Sequence, residues 1–441
     1  MRVLVDAYNL YSKNGTGISK YTKELCRVLN FLNHDVFLQF GVPQSYNELL
    51  TKEIVFQKLY LEYDDKREEA RDFFNIERKI KKLLTLTSCI NFIERNTFFP
   101  ITENDKKIFD DRIKYINGVY NKSGIHIKSE ILFNIFKKFI NIKNSKNHID
   151  IYHKPYQVPC FSKHAKNITT IHDLIPLKIP YSTTMDIKKF YELTNKTIKK
   201  SDKIITISES SKKDIIEYFN IRDEEKISVV YQSSFIDEKY INLCDTDIQN
   251  FINIAYGLYY KKYIIFYGAI EPKKNVYRII SAALKSKSGY PLVIAGKNGW
   301  LFDDVCQLVA EVQKTPSGKR KILRIPFLPF EHLAMLISGA AACVFPSLYE
   351  GFGLPVIESM QLGCPVITSN ASSLPEIGGD AVHYVDPYSI DDIAHGIDAV
   401  CENDEYRLLL EKKGRERAKM FSIERYAQRL NEIYTEVAGK E

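Results

Sequence analysis

Short apolar runs alternate with amphipathic helical stretches along most of the chain. Strand-like runs fall near 2–6, 35–41, 149–153, 167–172, 203–207 and 227–231. A second set falls near 263–268, 291–295, 322–327, 342–346, 364–368 and 382–386. Strands that alternate with helices predict βαβ units and parallel sheets, an α/β fold. Residues 233–262 read as a connection with a short polar helix. Two helices are expected to close the chain, 389–402 and 404–437, with a break near Phe421. A length of 441 residues exceeds what one core usually serves, so two domains are expected, 1–235 and 245–420.

One segment, 60–148, interrupts the rhythm. It is polar, basic and aromatic, and reads as a mostly helical insertion. Residues 65–150 hold 18 Lys and Arg against 12 Asp and Glu, and so supply +6 of the net +7 of the whole chain. Ile131, Leu132, Ile135, Phe136, Phe139 and Ile140 recur there at helical spacing, with Lys137, Lys138, Lys143 and Lys146 largely elsewhere. Such a stripe either packs on the parent domain or lies on an anionic membrane. The net charge is too small for this length to argue for nucleic acid. Eight cysteines lie scattered without metal-type spacing, as in reduced cytosolic proteins. The start, MRVLVDAYNL, runs into a strand pattern and lacks a signal peptide's apolar core. No run approaches the ~20 apolar residues of a spanning helix.

Residues 341–379, AACVFPSLYEGFGLPVIESMQLGCPVITSNASSLPEIGG, carry the strongest chemical signal. An apolar strand stops at a turn holding Glu350, Gly351 and Gly353. A helix then opens with Pro355 just inside its start, where the missing N–H costs nothing. This geometry builds an anion site at the C-terminal ends of parallel strands. Glu350 and Glu358, with seven residues between them, stand beside it and can accept hydrogen bonds from hydroxyls. Phosphate on the helix end and sugar hydroxyls on carboxylates point to a nucleotide-sugar site.

With these residues in view, the sequence resembles glycosyltransferase family 4, the retaining sugar-nucleotide-dependent enzymes of GT-B fold. The likeness covers 1–40, 149–235 and 260–437, with FPSLYEGFGLPVIESMQLGCPVITSNASSLPEIGGDA as its most specific part. It implies two Rossmann-like domains facing a cleft, the second binding the donor, and a final helix, 421–441, returning to the first. It places Glu350 near the transferred sugar and Glu358 on the ribose hydroxyls. Backbone N–H groups of Gly351, Phe352, Gly353 and Leu354 are expected on sugar and diphosphate oxygens. In FYGAIEPKKNVYRII (266–280), Lys274 matches the diphosphate-binding lysine, with Lys273 beside it. Ala269 departs from the family, where an arginine often stands, and Lys273 is the candidate to compensate. The turn GTGISKY, with Gly15 and Gly17, is expected to face donor phosphate and acceptor. His172, at the end of the strand in TIHDLIPL, matches a histidine near the transferred sugar, whereas Asp173 also suits a turn cap. Gly296, Lys297 and Pro326 are expected near the nucleotide base. TISESSKKDI (206–215) resembles the segment lining the cleft.

The resemblance further implies a metal-independent hexosyltransferase without cofactor, since no Asp-x-Asp motif stands where a metal would need one. A nucleotide-sugar donor, GDP-mannose by the SLPE and EPKKN runs, and a saccharide or lipid-linked acceptor are the expected partners. UDP-hexoses and dTDP-rhamnose stay open as donors. The expected setting is bacterial surface polysaccharide synthesis in the cytoplasm, at the inner face of the cell membrane. Two other classes stay open: a non-catalytic GT-B partner in an assembly complex, and a GT-B enzyme of other chemistry, such as an epimerase or phosphorylase.

Overall fold

The protein is represented by a computed structural model that describes residues 1–11, 17–42, 93–95, 97–102, 105, 114–143, 148–234, 236–315, 318 and 321–439. The first half contributes β1 (Arg2–Asp6), β2 (Asp35–Phe40), β3 (Ile93–Arg95), β4 (Thr97–Pro100), β5 (Gly118–Asn121), β6 (Ile140–Lys143), β7 (Ile151–Lys154), β8 (Cys160–Phe161), β9 (Lys166–Thr170), β10 (Lys203–Thr206) and β11 (Ile227–Val229). Its main sheet runs β11-β10-β9-β7-β1-β2-β5-β4, parallel except for β4. The chain moves outward from β1 in both directions, which places a topological switch point between β1 and β7.

The second half forms β12 (Ile264–Tyr267), β13 (Leu292–Ala295), β14 (Ile322–Ile325), β15 (Ala342–Phe345), β16 (Val366–Ser369) and β17 (His383–Val385). These pair in parallel in the order β14-β13-β12-β15-β16-β17. Central strands such as Ile264–Tyr267 are buried at every position, because helices cover both faces of the sheet. Here the switch point lies between β12 and β15. Loops leaving their C-terminal ends must diverge, and that opens a crevice where ligands of such sheets bind.

The helices used below are α1 (Gly17–Phe31), α2 (Ile125–Phe136), α3 (Glu209–Phe219), α4 (Val276–Lys285), α5 (Leu354–Gln361), α6 (Leu374–Gly378), α7 (Ile390–Cys401), α8 (Asp404–Ala418) and α9 (Ile423–Ala438). Ser422 caps α9 by accepting from the Arg425 N–H, after a buried Phe421 breaks the run from α8. The apolar stripe of α9 buries Ala427, Leu430 and Ile433. Polar contacts also fix it to the first sheet: Tyr434 to His153 on β7, Lys203 to Glu436 at 2.7 Å, and Arg429 to the Val229 carbonyl on β11.

The inserted segment differs from the expected, mostly helical one. Among its described residues it holds α2 and strands as well: β4 and β5 extend the main sheet, and β3 and β6 form a small parallel sheet with β8, which follows the segment. The apolar stripe splits for a local reason. Lys137 adopts a left-handed conformation (φ 54°) and its N–H caps the Phe133 carbonyl, so α2 ends at Phe136. Phe139 and Ile140 fall beyond it, Ile140 in β6. Leu132 is buried, whereas Ile135 and Phe136 are exposed.

Leu430→Ala is expected to destabilise the protein by about 2–5 kcal/mol, the usual range for emptying a fully buried leucine site. Thermal unfolding measures it, and an unchanged melting point would mean that α9 is not docked as described.

Candidate active site at the interdomain cleft

The loop after β12 turns through Pro272–Lys274 into α4. Asn275 makes that turn in a left-handed conformation (φ 63°), and its side-chain amide donates to the carbonyls of Pro346 and Pro387 at 3.0 and 2.6 Å. The β12 loop is thereby pinned to the loop after β15. The Leu348 N–H donates to the Lys273 carbonyl at 2.8 Å, a second tie between the same loops. These contacts bring Lys273, Lys274 and Glu350 together. Lys274 Nζ lies 2.6 Å from Glu350 Oε1, and Lys273 Nζ lies 3.7 Å from Oε2. Lys274 also stands 4.6 Å from the centre of the Phe345 ring, within cation–π reach.

Burial opposes the charge on Glu350, but Lys274 and Lys273 outweigh it and hold the carboxyl below its ordinary range. Lys274 is less favoured: burial dominates, and the single carboxylate is shared with Lys273, so its ammonium titrates below the usual lysine value. Lys273 faces Glu350, Asp173 and Glu271, which overcome burial and raise it. Burial raises Glu271 in turn. The charged pair is therefore best described from the carboxylate, which two cations serve.

The turn Glu350–Gly353 is held from both sides. Ser372 Oγ accepts from the Glu350 N–H at 2.9 Å, and Ser373 Oγ bridges the carbonyls of Glu350 and Phe352. Gly353 takes φ 114° as α5 begins at Leu354, and a Cβ there would strike Leu374 at 2.8 Å. Phe352 is buried against Tyr231 and Phe421, so its ring is an anchor. On β12, Tyr267 donates to the Pro355 carbonyl at 2.7 Å and steadies the first turn of α5.

Across the cleft, Gly351 abuts the first domain. A Cβ at Gly351 would meet Asp173 at 2.9 Å and the His172 carbonyl at 3.0 Å. Ser208, the N-cap of α3, donates to the Gly351 carbonyl at 2.8 Å while accepting from the Ser211 N–H. Glu376 accepts from the N–H groups of Glu209 and Ser210 at the start of α3. Tyr349 bonds Asp214, and Trp300 Nε1 donates to the Ser182 carbonyl at 2.7 Å. His172 is half-buried, its ring edge-on to Tyr21, with Nε2 donating to the Pro155 carbonyl at 2.8 Å. Burial lowers its pKa, which favours a neutral imidazole. Asp173 Oδ1 accepts from the Ile175 N–H at 3.0 Å, as a turn cap does.

The remaining predicted residues are more dispersed. Glu358 is nearly buried on α5 and pairs with Lys20 of α1. Gly296 ends β13 at φ 139°, and a Cβ there would lie 2.1 Å from the Gly268 carbonyl, so only glycine lets these two loops cross. Lys297 and Pro326 are exposed, Pro326 after edge strand β14, two strands from β12 and so roughly 10 Å away from it. Gly17 starts α1, whereas Gly15 lies outside the described residues. Lys20, Ser208, Asn275 and Glu376 fall inside the runs GTGISKY, TISESSKKDI, EPKKN and SLPE, but none was given a role of its own from sequence. Only Ser208, a serine ahead of a helical stretch, carries a local signal, that of an N-cap.

Two Rossmann-like sheets, with a buried Lys–Glu cluster at the switch point of the second, have the architecture of a GT-B fold. Comparison with known proteins agrees. The family profile for Glycosyl transferases group 1 matches residues 257–417. O-antigen chain mannosyltransferase B of Escherichia coli is 31% identical over 282 residues, 62% of this chain and 71% of that protein. The serotype-specific mannosyltransferase WbdA of Escherichia coli is 29% identical over 258 residues, 56% of this chain but 30% of WbdA. Among solved structures, sucrose-phosphate synthase of Thermosynechococcus elongatus superposes with TM-score 0.68 at 16% identity, covering 100% of this chain and 99% of that one. Anabaena HepE in complex with UDP and glucose gives 0.64 at 14%, covering 99% and 100%. The chain belongs to the group 1 glycosyl transferases.

Glu350→Gln is expected to cost about 3–5 kcal/mol at neutral pH, because it leaves two buried ammonium groups short of a counter-charge. The folded pKa of Glu350 lies below its unfolded value, so its stabilisation is complete above the ordinary carboxylate range and is lost as pH falls through the folded value. The gap between wild type and variant should therefore narrow below about pH 4. Calorimetry at neutral and acid pH reads this; an equal gap at both would refute the assignment.

Proposed function

We propose that this glycosyltransferase moves a hexosyl group, mannose from GDP-mannose, to a saccharide or lipid-linked acceptor in bacterial surface polysaccharide synthesis. Transfer proceeds with retention and without a metal. The reading rests above all on the buried Lys273–Lys274–Glu350 cluster beside the N-terminus of α5, with Glu350 in the turn that meets His172–Asp173 of the first domain at Gly351. The names of the mannosyltransferase relatives support the sugar and the setting. In this reading lysine supplies the positive charge that meets the diphosphate.

In this mechanism the bond between the anomeric carbon and the diphosphate oxygen breaks as the acceptor oxygen attacks on the same face. The acceptor proton passes to the departing phosphate oxygen. Lys274 and the N–H groups at the start of α5 meet the charge growing on the diphosphate. Glu350 holds Lys274 in place and accepts from sugar hydroxyls, and neutral His172 orients the sugar. The two glutamates do not act as a glycosidase pair, because Glu350 is engaged by two lysines and Glu358 by another.

Lys274→Ala and Glu350→Ala are each expected to lower transfer by roughly 10²–10³, while wild-type transfer persists in EDTA. A mass-spectrometric assay over a nucleotide-sugar panel, with NMR of the product anomer, decides it. Near-wild-type transfer by either variant, reversible loss with chelator, or an inverted anomer would each remove part of the mechanism.

Membrane contact is part of the same reading. Ile127, Ile135 and Phe136 of α2 are exposed, as are Ile187 and Tyr191 of the neighbouring helix Ile187–Lys200 and Met185 just ahead of it. Lys137–Glu192, at 2.7 Å, joins the two helices, and exposed Lys138 and Lys188 flank the apolar residues. Among the described residues no helix is long and apolar enough to cross a membrane, so this face would lie on the surface. Wild-type protein should sediment with phosphatidylglycerol vesicles at low salt, and the Ile135→Asp/Phe136→Asp variant should stay in the supernatant. Equal behaviour of the two proteins would exclude this face.

A further inference from the structure

Lys20 has no role in the chemistry above, yet it is the partner of Glu358. The two belong to different domains: Lys20 sits one turn inside α1, and Glu358 is on α5. Their exposures are unequal, 49% for the lysine side chain and 11% for the glutamate. A half-exposed ammonium thus caps a nearly buried carboxylate. Among the described residues, Lys20 is the hydrogen-bond donor that the Glu358 side chain meets. A ribose would need the same oxygens, because its two neighbouring hydroxyls donate to one carboxylate.

A second carboxylate stands ready for the displaced lysine. Glu24 is one turn along α1, at the i+4 position that faces Lys20. Its Oε1 accepts from Ser233 Oγ at 3.0 Å, and Arg27 lies 3.8 Å from its other oxygen. Between them is a cavity of about 80 Å³, lined by Lys20, Tyr21, Glu24, Gln232, Ser233, Leu354 and Tyr426. It opens at the first residue of α5 and at the segment leaving the first domain. The ammonium can therefore retreat from Glu358 to Glu24 without becoming a bare charge.

We propose that Lys20 is a donor-displaced positioning residue. With the cleft empty it occupies Glu358 and ties α1 to α5. When a nucleotide binds, the ribose hydroxyls take the Glu358 oxygens and Lys20 swings to Glu24. This inference rests on the reading of Glu358 as the ribose-binding carboxylate. It makes donor affinity the outcome of a competition within the protein, because the ligand must first replace an internal cation.

Two measurements test it. Calorimetric melting of ligand-free wild type, Lys20→Ala, Glu358→Gln and the double variant should reveal coupling: each single change lowers the melting point, and the double change lowers it no further. Titration calorimetry with GDP, UDP and their 2′,3′-dideoxy analogues reads the competition. Lys20→Ala should bind the ribonucleotide about two- to fivefold more tightly, the scale of a solvent-accessible ion pair, and leave the dideoxy analogue unchanged. Glu24→Gln, which removes the retreat, should weaken ribonucleotide binding by a similar factor. Weaker binding by Lys20→Ala, or an equal change for ribo- and dideoxynucleotides, would overturn the proposal. Absence of coupling in the ligand-free proteins would overturn the latch itself. Coupling in a wild-type protein that binds neither nucleotide would instead overturn the donor reading of Glu358.

Discussion

A carboxylate buried at position 350 has to be neutralised, and the cleft is arranged around that requirement. The neutralising lysines come from the loop after β12, the carboxylate from the loop after β15. These strands are neighbours only because the second sheet reverses its winding between them. A sheet wound in one direction would have filled the crevice with a crossover. Asn275 makes the pairing rigid, since its amide donates to the Pro346 carbonyl after β15 and to the Pro387 carbonyl after β17. Once the charges are balanced, the glycine turn can sit close to the first domain, where Ser208 grips the Gly351 carbonyl.

The central strands and the Glu350–Glu358 spacing were legible in the sequence because both are local. Twelve strand-like runs were read, and twelve strands stand within a few residues of them. Each is a short apolar run between polar turns, and its burial repeats what its composition implies. The inserted segment was misread for the opposite reason. β5 and β6 are four residues each, and nothing in such a short run distinguishes a strand from the end of a helix. What makes them strands is pairing with β2 and β8, which lie far away in sequence. The left-handed turn at Lys137 was equally hidden, since lysine does not advertise positive φ.

The same distinction holds at the site. Glu350, Glu358 and Lys274 announce themselves through glycines and a proline at fixed offsets. Lys20, Asn275 and Glu376 do not, because each acts on a partner 71 to 338 residues away in sequence. A lysine in an amphipathic helix is ordinarily solvated, and no local pattern marks the one that reaches a carboxylate of the other domain. Glu376 is a further case. It serves as an N-terminal partner for α3, a role normally filled by a residue next to the helix in sequence.

The two ways in which the halves meet differ in extent. The final helix docks on the first domain through buried Ala427, Leu430 and Ile433, contacts that cannot part without exposing apolar surface. Across the cleft, hydrogen bonds (Ser208 to Gly351, Trp300 to Ser182, Glu376 to the start of α3) stand beside a small apolar cluster of Ile175, Ile179 and Tyr349 and the packing of Phe352 on Tyr231. A hydrogen bond of this type contributes only about 0.5–1.5 kcal/mol net, because water replaces the partner when it opens. The returning helix is therefore the more extensive apolar joint, and the cleft face joins a smaller apolar cluster to hydrogen bonds that water can replace. Such a cleft needs its deepest charges satisfied. Glu350 meets that need within its own domain through Lys273 and Lys274, whereas Glu358 meets it from across the cleft. Of the two glutamates, only the second therefore has a charge balance that depends on the position of the other domain.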